Sequence, residues 1–274
     1  MPAALVLGTQ GWSYPDWAGE MYDAAAKPEA YLRNYAREFG SVEVDSTFYG
    51  TPAPERLMRW AQSVPPSFTF ALKLPREITH ERRLVSCAPL VRDFFASAAV
   101  LGPQLEAVLV QMGPDFSPDD WPVLEAFVPH LPAGPRIALE LRDPRWFLGS
   151  RYDEVRALLH THGIALAVTD GTFVDLETML AAFAQPTAPF AYVRWLGQRD
   201  AVTRFDRVSI DRNASLARWS AAIAAAAGAI ERICGYANNH YMGHSPATIR
   251  ALYAALGISH ERPVRVVQES LFRV

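Results

Sequence analysis

Short apolar runs rich in β-branched residues recur along the chain, and a stretch with helical spacing follows each of them, about eight times over. Each run is short enough for a buried strand and ends in charged or amide residues. The predicted strands are Leu5 to Gly11, Ser41 to Thr47, Thr69 to Pro75, Leu105 to Met112, Arg136 to Arg142, Ala165 to Asp170, Phe190 to Gly197 and Arg232 to Asn238. This alternation predicts parallel strands closed into a (β/α)₈ TIM barrel, whose polar strand ends share one mouth.

Helix boundaries between these strands support the assignment. Ser117 with Pro118, and Ser245 with Pro246, are typical of a helix N-cap followed by a first-turn proline. A doubly wound open sheet is the competing architecture. It needs fewer strands, and no Gly-rich phosphate fingerprint follows Gly8 or any other predicted strand.

The chain length of 274 residues is close to the roughly 250 typical of this barrel. No low-complexity linker divides the sequence, so we expect a single domain over residues 1–274. Residues 264–274 extend past the last barrel helix as a C-terminal tail. The sequence leaves the role of this tail and the oligomeric state open.

The net charge of −3 gives no global attraction to nucleic acid, which argues against a nucleic-acid partner. Cys87 and Cys234 lack a metal-binding spacing and are expected to be reduced and structural. The first residues contain no basic region, and the longest apolar run, Ala221 to Ile230, is too short to span a membrane. We therefore expect a soluble cytoplasmic protein without a membrane partner.

Alternation along each strand predicts which side chains point into the barrel. Val42 and Val44 should meet the helices, which turns Glu43 inward. The predicted interior set, built in the same way, is Glu43, Asp45, Thr47, Lys73, Gln111, Glu140, Arg142, Asp170, Tyr192, Arg194 and Asn238. Such a set is typical of a catalytic site with shifted pKa values, because an ordinary barrel interior is apolar. The alternative is a salt-bridge network that closes the top of the barrel.

Two loops add candidate chemistry. His80, after the third strand, could exchange protons near neutral pH, and the neighbouring Arg82 and Arg83 could bind a carboxylate or phosphate or simply be solvated. After the eighth strand, Asn238, Asn239 and His240 lead into a helix N-terminus, where a phosphate could bind. The asparagines could instead cap the turn.

Aromatic residues crowd the loops after the first two strands. They suit stacking on a sugar ring or a base, or a hydrophobic plug under a long loop. They are Trp12, Tyr14, Trp17, Phe48 and Tyr49.

No histidine-rich zinc motif, Gly-x-Ser-x-Gly elbow or Walker loop occurs. The carboxylates of Glu43, Asp45, Glu140 and Asp170 could still bind magnesium or manganese, so a divalent metal stays open and any other cofactor unknown.

Four motifs, in order, resemble the DUF72 family, also called YecE-like or UPF0759. They are Gly8-Thr9-Gln10-Gly11-Trp12; Val42 to Tyr49; Lys73-Leu74-Pro75 with Ile78-Thr79-His80; and Asn238-Asn239-His240 with Gly243. The resemblance implies a TIM barrel, mostly bacterial or archaeal, of unestablished activity. It implies a shared site at Glu43, Asp45, Thr47, Tyr49, Lys73, His80, Glu140, Arg142, Arg194, Asn238 and Asn239. The chain departs from the family pattern at Gln10, where serine is usual.

The leading hypothesis is an enzyme that uses acid/base chemistry at the barrel mouth on a small polar or anionic substrate, such as a sugar or phosphorylated metabolite. Glu43 and Glu140 would be the acid/base pair, and Arg142 and Arg194 would hold the anion. The other predicted catalytic residues are Asp45, Lys73 and His80; the other predicted binding residues are Thr9, Trp12, Thr47, Tyr49, Gln111, Asp170, Tyr192, Asn238, Asn239 and His240.

Two alternatives from other classes remain. One is nucleic-acid binding or phosphodiester processing through the arginines of residues 199–212 and the loop at Arg82, and it predicts affinity that falls steeply with salt. The other is a non-catalytic protein that binds a small ligand in the barrel.

Overall fold

The computed structural model describes residues 3–226 and 228–260. The predicted C-terminal tail, residues 264–274, lies outside the described residues.

The described strands are all parallel and form one sheet in the order β6-β5-β4-β3-β2-β1-β9-β8-β7. They are β1 (Ala4–Gln10), β2 (Ser41–Val44), β3 (Thr69–Lys73), β4 (Leu105–Gln111), β5 (Ile137–Glu140), β6 (Ala165–Leu166), β7 (Val168–Gly171), β8 (Phe190–Gly197) and β9 (Arg232–Ala237). The predicted sixth strand is divided: β6 pairs with β5, and β7 pairs with β8. One stretch of chain thus bridges the two ends of the sheet, and the predicted barrel is confirmed.

Helices surround the strands. They are α1 (Pro28–Tyr35), α2 (Pro54–Gln62), α3 (Ala88–Ala98), α4 (Trp121–Phe127), α5 (Gly149–Thr161), α6 (Leu176–Phe183), α7 (Asn213–Ala225), α8 (Asn239–Met242) and α9 (Ser245–Ala255). Proline stands in the first turn of α1, α2, α3, α4 and α9, where its missing N–H costs no helical hydrogen bond. None of the described helices combines the length and the apolar character that crossing a membrane requires.

The apolar side chains divide into two buried clusters on the two faces of the sheet. Val42, Val44 and Trp195 belong to the large cluster between strands and helices. The inner cluster is built largely from alanines on β3 to β6 and from Tyr192 and Tyr236 on β8 and β9. Small side chains on one side of the barrel therefore face large ones on the other, which fills the interior.

Several strands end earlier than predicted. The second strand stops at Val44, and Asp45–Tyr49 forms a 3₁₀ helix. The fifth strand stops at Glu140, before Arg142. The observed strand ends differ from the predicted ones because the polar residues there line the barrel mouth. At the mouth, side-chain contacts replace the backbone hydrogen bonds between strands.

Candidate functional site

A buried ion network crosses the barrel below its mouth. Arg194 of β8 donates from Nε and Nη2 to the Glu43 carboxylate at 2.9 and 2.7 Å, and from Nη1 to Glu140 Oε2 at 2.5 Å. Glu43 and Glu140 are fully buried, and Arg194 is 2% exposed. Arg142 Nε donates to Glu140 Oε1 at 2.7 Å. Two carboxylates and two guanidinium groups balance, which makes their burial tolerable.

The ion pairs of this network keep Glu140 and Arg194 charged. Burial alone would raise the pKa of Glu140, but the guanidinium groups of Arg194 and Arg142 outweigh burial and lower the pKa to about 2. Burial likewise works against the charge of Arg194, yet Glu140 and Glu43 hold its pKa well above the usual value. Tyr192 donates its hydroxyl to Glu43 at 2.8 Å, and burial and Glu43 together raise the pKa of Tyr192.

These contacts do not fit three of the predicted roles. Glu43 and Glu140 are held in ion pairs away from solvent, so they are poorly placed to act as an acid/base pair. Arg194 uses Nε, Nη1 and Nη2 on protein acceptors, including Gln111 Oε1 at 3.2 Å, and cannot also hold a substrate anion. The predicted salt-bridge network is therefore what the interior forms at this level.

A second layer of cations lies above the network. Lys73 Nζ lies 3.4 Å from Asp45 Oδ1 and 4.9 Å from the centre of the Phe48 ring. Arg142 stacks over Phe173 at 4.5 Å, and its side chain is 16% exposed. Within the described part of the chain, the terminal Nη atoms of Arg142 have no hydrogen-bond acceptor. They are therefore open to a ligand.

Thr47 holds the 3₁₀ helix of Asp45 to the neighbouring strand. Its hydroxyl lies 2.9 Å from both the carbonyl oxygen and the N–H of Lys73. Thr47 is 1% exposed, so the structure gives it a supporting position beneath Asp45 and Lys73 rather than direct access to a ligand.

His80 lies beside these cations on a single turn of π-helix, Glu77–Glu81. Its Nδ1 is 2.8 Å from the Thr79 hydroxyl, and its ring meets Phe48 edge-on at 5.0 Å. Burial lowers the pKa of His80, and the positive charges of Arg142 and Lys73 lower it further, although Asp115 opposes them. The imidazole is therefore neutral at pH 7 and able to accept a proton.

Amide side chains complete the wall near β1 and β9. Asn238 Nδ2 donates to Gln10 Oε1 at 2.9 Å, and Asn238 Oδ1 accepts from the His240 N–H at the start of α8 at 2.9 Å. The His240 ring meets Phe205 edge-on at 5.1 Å, and burial lowers the pKa of this histidine. Tyr14 donates to the carbonyl oxygen of Gln10 at 2.8 Å.

Sequence reasoning missed Gln10 and Phe173 as members of the site, and it left Tyr14 among the aromatic residues that either stack on a ligand or form a plug. Gln10 could have been found, because alternation from the outward Leu7 turns Gln10 inward. Burial, Asp45 and Glu43 raise the pKa of Tyr14, which shows that its hydroxyl is close to the charged interior. Phe173 follows β7 in a loop, and no sequence signal connects it to Arg142.

Two predicted site residues face the helices instead. Asp170 accepts hydrogen bonds from Trp219 Nε1 at 2.9 Å and from the Tyr241 hydroxyl at 2.7 Å, on α7 and α8. The Thr9 hydroxyl donates to the Gly11 carbonyl oxygen at 2.7 Å and lies 3.0 Å from the hydroxyl of Tyr35 on α1. The prediction that both line the site is wrong. Counting alternate residues from Val168 and Leu7 places both side chains outside the barrel wall.

Asn239 also has a supporting position. Its Oδ1 accepts from the Ser245 N–H at 2.9 Å and from Trp17 Nε1 at 3.3 Å, and the residue is 2% exposed. It therefore fixes the start of α9 against the first loop, which is the alternative that the sequence left open.

The predicted aromatic positions separate into different surroundings. Trp12 packs edge-on against Trp60 of α2 at 5.3 Å, whereas Tyr49 is 76% exposed beside Phe48. Trp17 is fully buried, as the hydrophobic-plug interpretation requires.

The possible metal ligands do not converge. Asp170 faces α7 and α8, and Glu43 and Glu140 are neutralised by arginines. No three His, Cys, Asp or Glu residues in the described ranges are grouped so as to hold a metal ion. The four carboxylates suggested by the sequence therefore do not form a metal site.

The arginines invoked for nucleic-acid binding have acidic partners within the chain. Arg204 and Arg207 lie 2.7 and 3.7 Å from Asp206, and Arg82 lies 2.9 Å from Glu77. This pairing leaves little unbalanced positive charge on the two loops, which weakens the nucleic-acid hypothesis.

Fold and site together define a TIM-barrel protein with a polar, cation-bearing mouth. Comparison with known proteins places the chain more narrowly: residues 6–271 match the model of a family described as "Protein of unknown function DUF72", and the chain belongs to that family. Its relatives include the UPF0759 protein YecE of Escherichia coli, 29% identical over 167 residues, and the UPF0759 protein YunF of Bacillus subtilis, 25% identical over 174 residues. Each alignment covers 61% of this chain and about three-fifths of the relative, 59% and 60%.

Solved structures of the family show the same fold. A DUF72 family protein of Enterococcus faecalis superposes with a TM-score of 0.74 at 21% identity, covering 94% of this chain and 99% of that protein. Another, from Thermotoga maritima, gives a TM-score of 0.73 at 23% identity and covers 91% and 96%. At these identities the likeness extends to the fold alone.

Proposed function

We propose that this protein is an enzyme that binds a small anionic metabolite at the barrel mouth and transfers a proton with His80. The proposal rests on two groups at the mouth. Arg142 has terminal nitrogens without an acceptor within the described residues, and His80 is a neutral imidazole under the influence of nearby positive charges. The sugar or phosphorylated substrates suggested by the sequence fit this chemistry, because both are polar and the second carries an anion.

Arg142 is the natural anion-binding group. Its Nε is fixed on Glu140, and its guanidinium plane is held against Phe173, so the remaining N–H groups keep one orientation. A planar, oriented guanidinium suits a carboxylate or phosphate, which accepts two parallel hydrogen bonds. Lys73, held by Asp45 and Phe48, adds a second positively charged group at the mouth.

The buried network below serves as a preorganised support. Glu43, Arg194 and Glu140 carry balanced charge and cannot reorient without breaking ion pairs in a low-dielectric interior. Arg142 therefore keeps its position when the mouth is empty, and little energy is spent on ordering it when an anion binds.

His80 would accept a proton from a C–H or O–H group of the bound substrate and return it to the product. Its neutral state at pH 7 follows from burial and from the cations around it. A bound anion would cancel part of that positive charge, raise the pKa of His80 and stabilise the imidazolium ion as it forms.

The test is a turnover screen by NMR with phosphorylated sugars and small hydroxy acids, comparing wild type with His80→Gln and Arg142→Gln. We expect His80→Gln to lower kcat by about 100-fold or more, the usual contribution of a general base. Arg142→Gln should raise KM, and Arg142→Lys should restore it only in part, because lysine lacks the planar fork. His160→Gln is the matched control, because His160 is an exposed histidine on α5, away from the barrel mouth.

Full turnover by His80→Gln would refute the assigned base. Saturable binding that Arg142→Gln abolishes, without conversion of any bound compound, would instead make the protein a non-catalytic binding protein.

The pKa of His80 gives a second readout. In ¹H–¹⁵N spectra, we expect the titration of His80 to move to higher pH when the screened anion is added. A ligand that leaves the His80 titration in place would be bound elsewhere.

A further inference from the structure

A second charged cluster lies at the opposite, amino-terminal end of the barrel. Glu106 of β4 is fully buried, and Arg232 at the start of β9 contacts both of its carboxylate oxygens, at 2.6 and 2.7 Å. Arg136 approaches one of the same oxygens at 3.0 Å and donates from Nε to the Glu106 carbonyl oxygen at 2.9 Å. The cluster therefore combines one negative and two positive groups.

An irregularity in β4 creates this arrangement. Phe70 of β3 pairs with Leu105 and Ala71 pairs with Ala107, so Glu106 is an extra residue in the ladder. By strict alternation from the outward Val108, Glu106 would face the helices, but it contacts Arg232 and the inner Cys234 instead. Bulges commonly re-aim a side chain in this way. Here the bulge points the carboxylate of Glu106 into the barrel interior, at its amino-terminal end.

Glu106 needs only one arginine for its ion pair, so Arg136 is an additional positive charge. The Nε and Nη2 groups of Arg232 already donate to both carboxylate oxygens of Glu106. Burial raises the pKa of Glu106, but Arg232 and Arg136 outweigh burial and lower it. In the described part of the chain, Nη1 of Arg136 and Nη1 of Arg232 contact no acceptor. Their side chains are 39% and 31% exposed, so these donors are open to a ligand.

Both arginines line a cavity of about 680 Å³ at this end of the barrel. This volume is within the range of small-molecule sites, roughly 300–1,000 Å³. Apolar walls surround the cluster, contributed by Val128, Leu131, Ile137, Ile164 and Phe190. Glu231 also lines the cavity, but it is exposed, so solvent screens its charge more than that of the buried cluster.

We propose that this cavity is a second ligand site, separate from the barrel mouth, which binds an organic anion with an apolar body. A carboxylate or phosphate group of the ligand accepts hydrogen bonds from the free N–H groups of Arg136 and Arg232. The apolar part lies against Ile137, Ile164 and Phe190. A role restricted to closing the barrel would require neither the second arginine nor an open cavity beside it.

The test uses 8-anilino-1-naphthalenesulfonate, an aromatic anion whose fluorescence rises on binding, with the full-length chain. We expect saturable binding to wild type, displacement by phenylacetate or phenyl phosphate, and at least tenfold weaker binding to Arg136→Gln. Whichever competitor displaces the probe at lower concentration identifies the head group as a carboxylate or a phosphate. Arg92→Gln, at an exposed arginine on α3, is the matched control and should bind the probe as wild type does. Arg142→Gln tests whether the probe binds at the mouth instead.

A second variant leaves the ion cluster intact. Ala133 is exposed on the loop that lines the cavity, so Ala133→Trp should fill the space and abolish binding without affecting Glu106. The proposal is overturned if wild type shows no saturable binding, if Arg136→Gln and Ala133→Trp bind the probe like wild type, or if only Arg142→Gln loses it.

Discussion

At the scale of single residues, the pairing of Glu43 with Arg194 shows how alternation and burial combine. Alternation from Val42 and Val44 was enough to turn Glu43 inward, and an inward carboxylate must find a cation, because an unpaired buried charge is costly. Which cation it finds depends on a strand 151 positions later in the chain. The same alternation, counted from Val168, would have placed Asp170 outside.

Glu43→Gln should destabilise the fold rather than simply reduce activity. Removing one partner of a buried ion pair costs about 3–5 kcal/mol, because the other charge is left uncompensated. Asp45→Asn is the matched control: Asp45 is 38% exposed at its side chain, and its pair with Lys73 should contribute about 1 kcal/mol or less. Urea unfolding measures both, and equal losses in the two variants would contradict the fixed network.

Glu140 predicts a specific acid sensitivity. Its folded-state pKa of about 2 lies below the ordinary 4.5, so its stabilising contribution is complete above about pH 4.5 and is lost as pH falls towards 2. At about 1.4 kcal/mol per pKa unit, the loss amounts to about 3 kcal/mol.

Free energies of unfolding of wild type and Glu140→Gln, measured from pH 7 to pH 2, check this. The two proteins should differ most at neutral pH and converge in acid. Parallel curves over the whole range would show that Glu140 is not held by its arginines.

At the scale of elements, the segment after β3 stores strain beside the candidate site. His80 stands on a π-helical turn, and Arg83, Leu84 and Ser86 follow with positive φ angles of 48°, 69° and 54°. Such turns and left-handed residues concentrate at functional sites, where the surrounding structure compensates for them. The sequence predicted a loop here but gave no sign of this geometry, because none of the three residues is glycine or asparagine.

Ser86→Gly should therefore stabilise the protein. Relief of left-handed strain is worth about 1–2 kcal/mol, from which the greater freedom of glycine in the unfolded chain subtracts about 0.5–1 kcal/mol. A rise of about 0.5–1 kcal/mol in the free energy of unfolding is expected, whereas Ser86→Ala should give no gain. Loss of stability in Ser86→Gly would indicate that the serine side chain, not its backbone, matters.

At the scale of the whole molecule, charge is distributed in layers. A balanced network lies inside, Arg142 keeps open Nη donors at the mouth, and the outer arginines pair with acidic neighbours. The net charge of −3 gives no general attraction to polyanions. Small anions can reach Arg142 at the mouth, but a duplex would meet a mixed surface.

We accordingly expect no more than weak binding of a short DNA duplex or single strand at physiological salt, measured by fluorescence anisotropy. Counterion release requires several unpaired basic groups on one face, and the pairing of Arg82, Arg204 and Arg207 opposes it. Submicromolar affinity that falls steeply with salt would overturn this expectation and revive the phosphodiester alternative.

The sequence by itself determined the barrel, the order of its strands and most of the side chains that point inward. It could do so because strand periodicity, helix caps and the repeat of strand and helix are local properties of the chain. Lys73, Gln111, Arg142 and Arg194 could all be assigned to the interior in this way.

Only the tertiary structure decided which of these charges are free. Glu43 and Arg194 neutralise each other, Arg142 keeps open donors, and Glu106 turns inward at a bulge that no local pattern announces. Pairing between distant strands depends on register and closure of the barrel, which are global properties. The division between supporting and ligand-facing residues is therefore a result of the closed barrel and not of any segment alone.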